Sequence, residues 1–181
     1  MIYIGIDLGT SAVKLLAMDE NGTILKTVSK EYPLFFPHPG WSEQNPEDWF
    51  TQSVEGMKEL TEGIDRSKVA GIGFGGQMHG LVTLDENDKV IRPAILWNDG
   101  RSQKETEYLN NEIGKEKLSA YTANIAFAGF TAPKILWMKK NEPEKFAKSP
   151  RSCFRKTILL TDFPDLSAQM FLMHPVCSFL M

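Results

Sequence analysis

Ile2 to Met18 reads IYIGIDLGTSAVKLLAM, and the fold turns on these residues. Ile2–Ile6 is an apolar run of strand length, Asp7-Leu8-Gly9-Thr10-Ser11 has turn composition, and Ala12–Met18 is a second apolar run. Two such runs flanking a turn predict a strand–turn–strand unit. A glycine in that turn permits positive φ and lets backbone N–H groups approach an anion with no Cβ in the way. Asp7, at the end of the first strand, is a hard oxygen ligand suited to holding Mg²⁺ through water. A plain hairpin turn accounts for the same residues, so the anion reading rests on what accompanies it.

Downstream, Asp19-Glu20-Asn21-Gly22 is a turn that leads into a third strand, Thr23–Tyr32. Asn45 then caps a helix, with Pro46 at its first position and Glu47 and Asp48 in its first turn. Trp49, Phe50, Val54, Met57 and Leu60 fall on one stripe at helical spacing. A strand follows at Val69–Phe74, then a short hairpin turning at Glu86-Asn87-Asp88. Arg101–Ile113 and Thr131–Lys140 are expected to be helical. Three antiparallel strands, a helix and another strand form the order of the α/β ribonuclease H-like fold, shared by actin- and hexokinase-type ATPases. No internal repeat or low-complexity tract interrupts it.

Two polar clusters sit at the ends of apolar runs. GGQMHG (Gly75–Gly80) follows Val69–Phe74, and WNDGR (Trp97–Arg101) follows Ala94–Leu96. Loops at strand ends are where rigid scaffolds place binding groups. Amide, imidazole, indole and carboxylate groups gathered this way suit a small polyhydroxylated ligand. Gln77, His79, Trp97, Asn98 and Asp99 supply those groups, with Gln77 read as fixing its loop. The competing readings are packing for Met78 and Trp97, a structural role for His79, and a local ion pair between Asp99 and Arg101. Packing is also the default for Trp41 and Trp49.

Composition narrows the classes. Apolar residues make up 42% of the 181 and charged residues 24%, ordinary globular values. A formal charge of −3 leaves no basic footprint, so neither nucleic acid nor an anionic membrane is an expected partner. No basic n-region precedes an apolar segment, and no run approaches the roughly 18–20 apolar residues of a membrane span. A cytoplasmic location is expected. The two cysteines, Cys153 and Cys177, lie in the last part of the chain, so disulfides and metal thiolates are not expected before them.

Taken together, GIDLGTSAVK (Gly5–Lys14), HPGWSEQNPEDW (His38–Trp49), GQMHG (Gly76–Gly80), RPAILWNDGRS (Arg92–Ser102) and GFTAPKILWMKKN (Gly129–Asn141) resemble the FGGY family of ATP-dependent carbohydrate kinases. The resemblance is nearest to its xylulose-phosphorylating branch and covers residues 1–148. It implies the incomplete first domain of a two-domain sugar kinase. Asp7 would position Mg²⁺–ATP, Gly9, Thr10 and Ser11 would cradle phosphate, and Met78 and His79 would contact the sugar, with Trp97, Asn98 and Asp99 lining the same pocket. Lys134 and Trp137 belong to a diagnostic pattern and receive no catalytic role. The implied reaction moves the ATP γ-phosphoryl group to a primary hydroxyl of D-xylulose, giving D-xylulose 5-phosphate. In the family the base is an aspartate in a later GGxDN-type segment, and this chain alone is expected to be inactive. Another ketose or gluconate, a non-catalytic sugar- or nucleotide-binding module, and an actin-like or chaperone ATPase suggested by DLGT alone remain as alternatives.

The resemblance in the residues stops at Lys148. Regrouping the codons of residues 149–181 by one base forces valine across Met170-Phe171 and alanine across Met173-His174. The regrouped frame can spell MLPKDY and then DVSDASG, strings similar to what the family carries next. Residues 149–181 are therefore expected to be an out-of-frame tail with no domain, which leaves Cys153, His174 and Cys177 without a functional reading.

Overall fold

A computed structural model describes residues 1–154, which divide into two compact units. Among the described residues, the first unit holds 1–32, 47–76 and 153–154 and the second holds 33–46 and 77–152.

The first unit is a four-stranded sheet with one helix. β1 (Ile2–Leu8), β2 (Ala12–Asp19) and β3 (Ile24–Glu31) run antiparallel to their neighbours, and β5 (Val69–Gly76) lies parallel to β1, giving the order β3-β2-β1-β5. Parallel neighbours need a crossover, and α1 (Pro46–Leu60) lies within the connection. Side chains alternate along each strand. Ile4, Ile6, Leu8, Val13, Leu15 and Ala17 all point to one buried face. The helix brings the fully buried Trp49 and Leu60 to this core. It comes close enough that a Cβ on Gly56 would stand 2.5 Å from Leu15 Cδ1. The opposite face carries Tyr3, Gly5 and Asp7 on β1, in register with Gly71, Gly73 and Gly75 on β5. The predicted strands at Ile2–Ile6 and Val69–Phe74 each run two residues further, to Leu8 and Gly76.

The second unit holds most of a smaller sheet, in the order β4 (Glu43–Gln44), β7 (Ala94–Ile95), β6 (Leu81–Leu84), β8 (Arg151–Phe154). Its core is Leu81, Ile95, Trp137 and Met138, with Trp41, Ile135 and Phe146 packed against it. The expected turn after β6 forms, with the Asp85 carboxylate accepting from the Asn87 and Lys89 backbone N–H groups. α2 (Gln103–Tyr108), α3 (Lys115–Thr122), α4 (Thr131–Asn141) and α5 (Pro143–Ala147) complete the unit.

The helix expected over Arg101–Ile113 is shorter and opens into a wide π-type turn at Leu109–Gly114. That turn carries Asn110, whose side-chain amide donates to the Ala126 carbonyl at 2.9 Å and accepts from the Ala126 N–H at 3.0 Å. A side chain thus mimics a strand partner for the loop that begins at Ala126. Of the expected tail, residues 149–154 are described and include an unexpected strand, β8. The rest of the tail, with His174 and Cys177, lies outside the described residues.

Candidate functional site

In the first unit the Asp7 carboxylate is exposed near the end of β1, across from Lys14 on β2 and Gly75 on β5. The turn that follows is tight. The Gly9 N–H donates to the Asp7 carbonyl at 3.1 Å, and a Cβ on Gly9 would lie 2.9 Å from the Ala12 carbonyl oxygen, so a side chain there has no room. Tyr32, buried at the end of β3, holds the turn at two points. Its hydroxyl donates to the Gly9 carbonyl and its N–H donates to the Ser11 carbonyl. Thr10 and Ser11 remain at least partly exposed above this support.

A Cβ on Gly75 would come within 3.4 Å of Asp7 Oδ1, so the bare strand leaves the carboxylate open to close approach. Among the described residues no group of three or more His, Cys, Asp or Glu could hold a metal ion. A cation here would rest on Asp7 alone, with water and phosphate oxygens completing its shell. That donor set suits Mg²⁺, which keeps several waters and is bound through one or two carboxylates plus substrate phosphates.

In the second unit, Met78, Trp97 and Asn98 are exposed. His79 has φ of 64°, a left-handed conformation uncommon outside glycine, though His, Asn and Asp adopt it more readily than other side chains. Its ring stacks on Phe130, with centroids 4.3 Å apart and planes 17° from parallel. Phe127 leans on Phe130 at 5.1 Å. Gly129 comes so near the Trp97 carbonyl that a Cβ there would stand 2.5 Å from its oxygen. The loop 126–130 therefore joins the two polar clusters: Phe130 meets His79 and Gly129 meets Trp97.

Beneath them lies Lys134, with no solvent exposure, donating from Nζ to the His79 carbonyl at 2.6 Å and the Gly129 carbonyl at 2.7 Å. Burial lowers its pKa from 10.5 to about 7, with Asp99 opposing the shift and Arg101 adding to it. His79 is also shifted down, first by its own burial and then by Lys134, which favours the neutral imidazole.

Asp99 belongs to the interior. Its Oδ2 accepts from the Ser42 N–H at 2.6 Å and from Arg101 Nη2 at 2.8 Å, and its Oδ1 accepts from the Arg101 N–H and Nε at 2.9 Å each. The expectation that Asp99 offers oxygen to a sugar gives way to the ion-pair alternative, because its lone pairs are engaged and its side chain is fully buried. Trp41 also follows the packing reading, edge-on to Trp137 at 5.2 Å and under the Arg101 guanidinium at 3.7 Å.

A family profile decides the relationship: the N-terminal domain of the FGGY carbohydrate kinases matches residues 2–167. The chain belongs to the FGGY family. A Bacillus subtilis xylulose kinase is 42% identical over 179 residues, covering 93% of this chain and 36% of the relative. The crystal structure of a xyloylose kinase from Brucella ovis superposes with a TM-score of 0.82 at 41% identity, over 88% of this chain and 33% of that one. A gluconate kinase from Lactobacillus acidophilus gives a TM-score of 0.83 at 29% identity, over 88% and 32%. The chain spans about a third of the length of the relatives it matches. The profile runs beyond Lys148, the end of the resemblance read from the residues.

In this FGGY chain the diagnostic segment Gly129–Asn141 does structural work that its composition did not announce. Lys134 and Gly129 hold the two polar loops, while Trp137 packs beside Trp41 and Arg92. Arg92 in turn pairs with Glu43 and, at 2.6 Å, with Glu142. Tyr32, Phe127 and Phe130 were not among the candidates. A buried tyrosine after a strand and two aromatics in a short apolar loop carry no spacing that separates binding from packing.

Proposed function

We propose that this chain forms the sugar- and phosphate-binding parts of an ATP-dependent kinase acting on a ketopentose, with D-xylulose as the substrate and D-xylulose 5-phosphate as the product. The observation that carries the reading is the joining of the two polar loops by Phe130, stacked on His79, and Gly129, pressed against Trp97. Apolar faces with a few polar groups suit the C–H faces and hydroxyls of an open-chain sugar. A neutral His79 can accept from or donate to a hydroxyl, and Asn98 adds an amide.

On the phosphate side, Gly9, Thr10 and Ser11 would take phosphoryl oxygens through backbone N–H and hydroxyl groups, and Asp7 would hold Mg²⁺ through water. When bound, Mg²⁺ would neutralise charge on the phosphates of ATP, the main need of phosphoryl transfer. The family's base lies in a later segment by resemblance, so the 181-residue chain alone is expected to bind rather than turn over. A cytoplasmic location goes with this reading; among the described residues no helix is long and apolar enough to cross a membrane.

Gluconate is the second reading, favoured by the similarity to the gluconate kinase. Titrating the chain with D-xylulose and with gluconate, following the His79 and Trp97 side-chain resonances, separates the two. Saturable shifts with xylulose alone support the proposal. Shifts with gluconate alone move the assignment to an acid sugar, and shifts with neither remove the sugar site.

A further inference from the structure

Lys134 is the one lysine among the described residues with no exposed surface. It therefore cannot touch a ligand in the patch above it. What it touches is the backbone on both sides: the carbonyl of His79, where the chain turns left-handed, and the carbonyl of Gly129, where the chain presses against Trp97. These two residues are 50 positions apart and share no direct hydrogen bond; the amine links them.

We propose that Lys134 is a positioning residue for the sugar site, holding the His79 and Gly129 carbonyls at once so that the His79 ring stays on Phe130 and the 126–130 loop stays against Trp97. The inference rests on the reading of His79 and Trp97 as sugar contacts. It adds that the geometry of those contacts is set from below by a residue the ligand never reaches.

The chemistry fits an amine rather than another side chain. A neutral amine has two N–H donors, one for each carbonyl, and a four-carbon stem that fills an apolar space. The ammonium form carries a third proton beyond the two that these carbonyls take, in agreement with the downward shift that burial imposes. The charged groups acting on it are Asp99 and Arg101, and His79 is the titrating group that feels its charge. A methionine would fill the space but leave both carbonyls without a donor, and buried or half-buried carbonyls do not tolerate that. The His79 turn would then lose the contact that opposes its unfavourable backbone conformation.

The test uses the 181-residue chain and its Lys134→Met variant. Stacking on Phe130 shifts the His79 ring C–H resonances upfield by ring current. In the variant those shifts are expected to collapse toward free-histidine values, while the Trp41 indole signal, set by Arg101 and Trp137, stays in place and reports an intact second unit. D-xylulose affinity is expected to fall at least tenfold. If the His79 shifts persist in the folded variant, or its xylulose affinity equals that of the parent, the proposal is overturned. If the parent binds no xylulose, the sugar reading fails by itself, and the His79 shifts still decide what Lys134 does. Should the variant not fold, the parent alone suffices: cross-relaxation between the Lys134 ε-methylene and both His79 and Gly129 is required, and its absence refutes the link.

Discussion

Arg101 engages Asp99, two residues before it, with both prongs of its guanidinium, Nε at 2.9 Å from Oδ1 and Nη2 at 2.8 Å from Oδ2, and neither side chain reaches solvent. The same guanidinium has Nη1 2.7 Å from Glu43 and lies 3.7 Å from the Trp41 ring centroid. A planar fork can serve two carboxylates and an indole face together; a lysine ammonium cannot. Arg101→Met leaves the buried Asp99 carboxylate without its cation, while Glu43 keeps Arg92, and is expected to cost about 3–5 kcal/mol. Arg101→Lys keeps the charge but loses the fork, and about 1–3 kcal/mol is expected. Urea unfolding followed in the second unit measures both, and a Lys variant as stable as the parent would show that charge alone matters.

Lys134 makes stability depend on pH in an unusual direction. Unfolded, it titrates near 10.5; folded, at about 7. Between these values the unfolded chain holds a proton that the folded chain has released, so raising the pH through that window favours the folded state. Below the window both forms are protonated and the full cost of burying the ammonium is felt. One such group contributes a slope of at most about 1.4 kcal/mol per pH unit. Chemical denaturation between pH 7 and 9.5 is expected to show more alkaline stabilisation in the parent than in Lys134→Met. Parallel curves would mean that Lys134 stays charged when folded.

His79 separates backbone strain from ligand contact. Asparagine tolerates the left-handed region, so His79→Asn is expected to change stability by less than about 1 kcal/mol while removing the ring from Phe130. His79→Val places a β-branched residue at φ of 64° and is expected to cost about 1–3 kcal/mol. Calorimetric titration with D-xylulose is expected to show at least a tenfold weaker Asn variant. An Asn variant that binds as well as the parent would assign His79 a purely structural part.

Tyr32 provides the matching test for the phosphate turn. Tyr32→Phe deletes the hydroxyl that donates to the Gly9 carbonyl, for which about 0.5–1.5 kcal/mol is expected. Its effect on Mg²⁺–ATP binding should exceed its effect on xylulose binding. Equal losses of both ligands would point to general loosening of the chain, not to the turn.

Residues 149–181 carry an expectation settled by nucleic acid rather than protein. A single base lost near the codon for Lys148 accounts for the regrouped strings MLPKDY and DVSDASG. Sequencing the coding DNA across the codons for Phe146 to Lys156 is expected to recover that base. An intact frame in independent reads makes the segment a native one, in keeping with the family match that runs to residue 167.

How far the sequence spoke for itself differs between the parts. β1, β2, β3, α1 and β5 were legible because each has a strong period or a cap and the turns between them have their own chemistry. β4 and β7 have two residues each, too short for any period, and α5 is a single turn. The site divides in the same way. The Asp99–Arg101 pair spans two positions and was open to reading, at least as an alternative. The bond from Lys134 to His79 spans 55 positions, and nothing in either neighbourhood encodes the other. Phe127 and Phe130 became interpretable only once the Asn110 turn had placed their loop.

The four tryptophans differ enough in setting to serve as separate lamps. Trp49 is wholly enclosed in the first unit, and Trp137 is nearly so in the second. Trp41 lies under a guanidinium. Trp97 is 43% exposed beside the proposed sugar patch. Its emission should be the reddest of the four and the one that aqueous quenchers reach. A sugar that settles against Trp97 would shield that colour and leave the blue emission of Trp49 unchanged, so binding and unfolding carry different spectral signatures in an unlabelled chain.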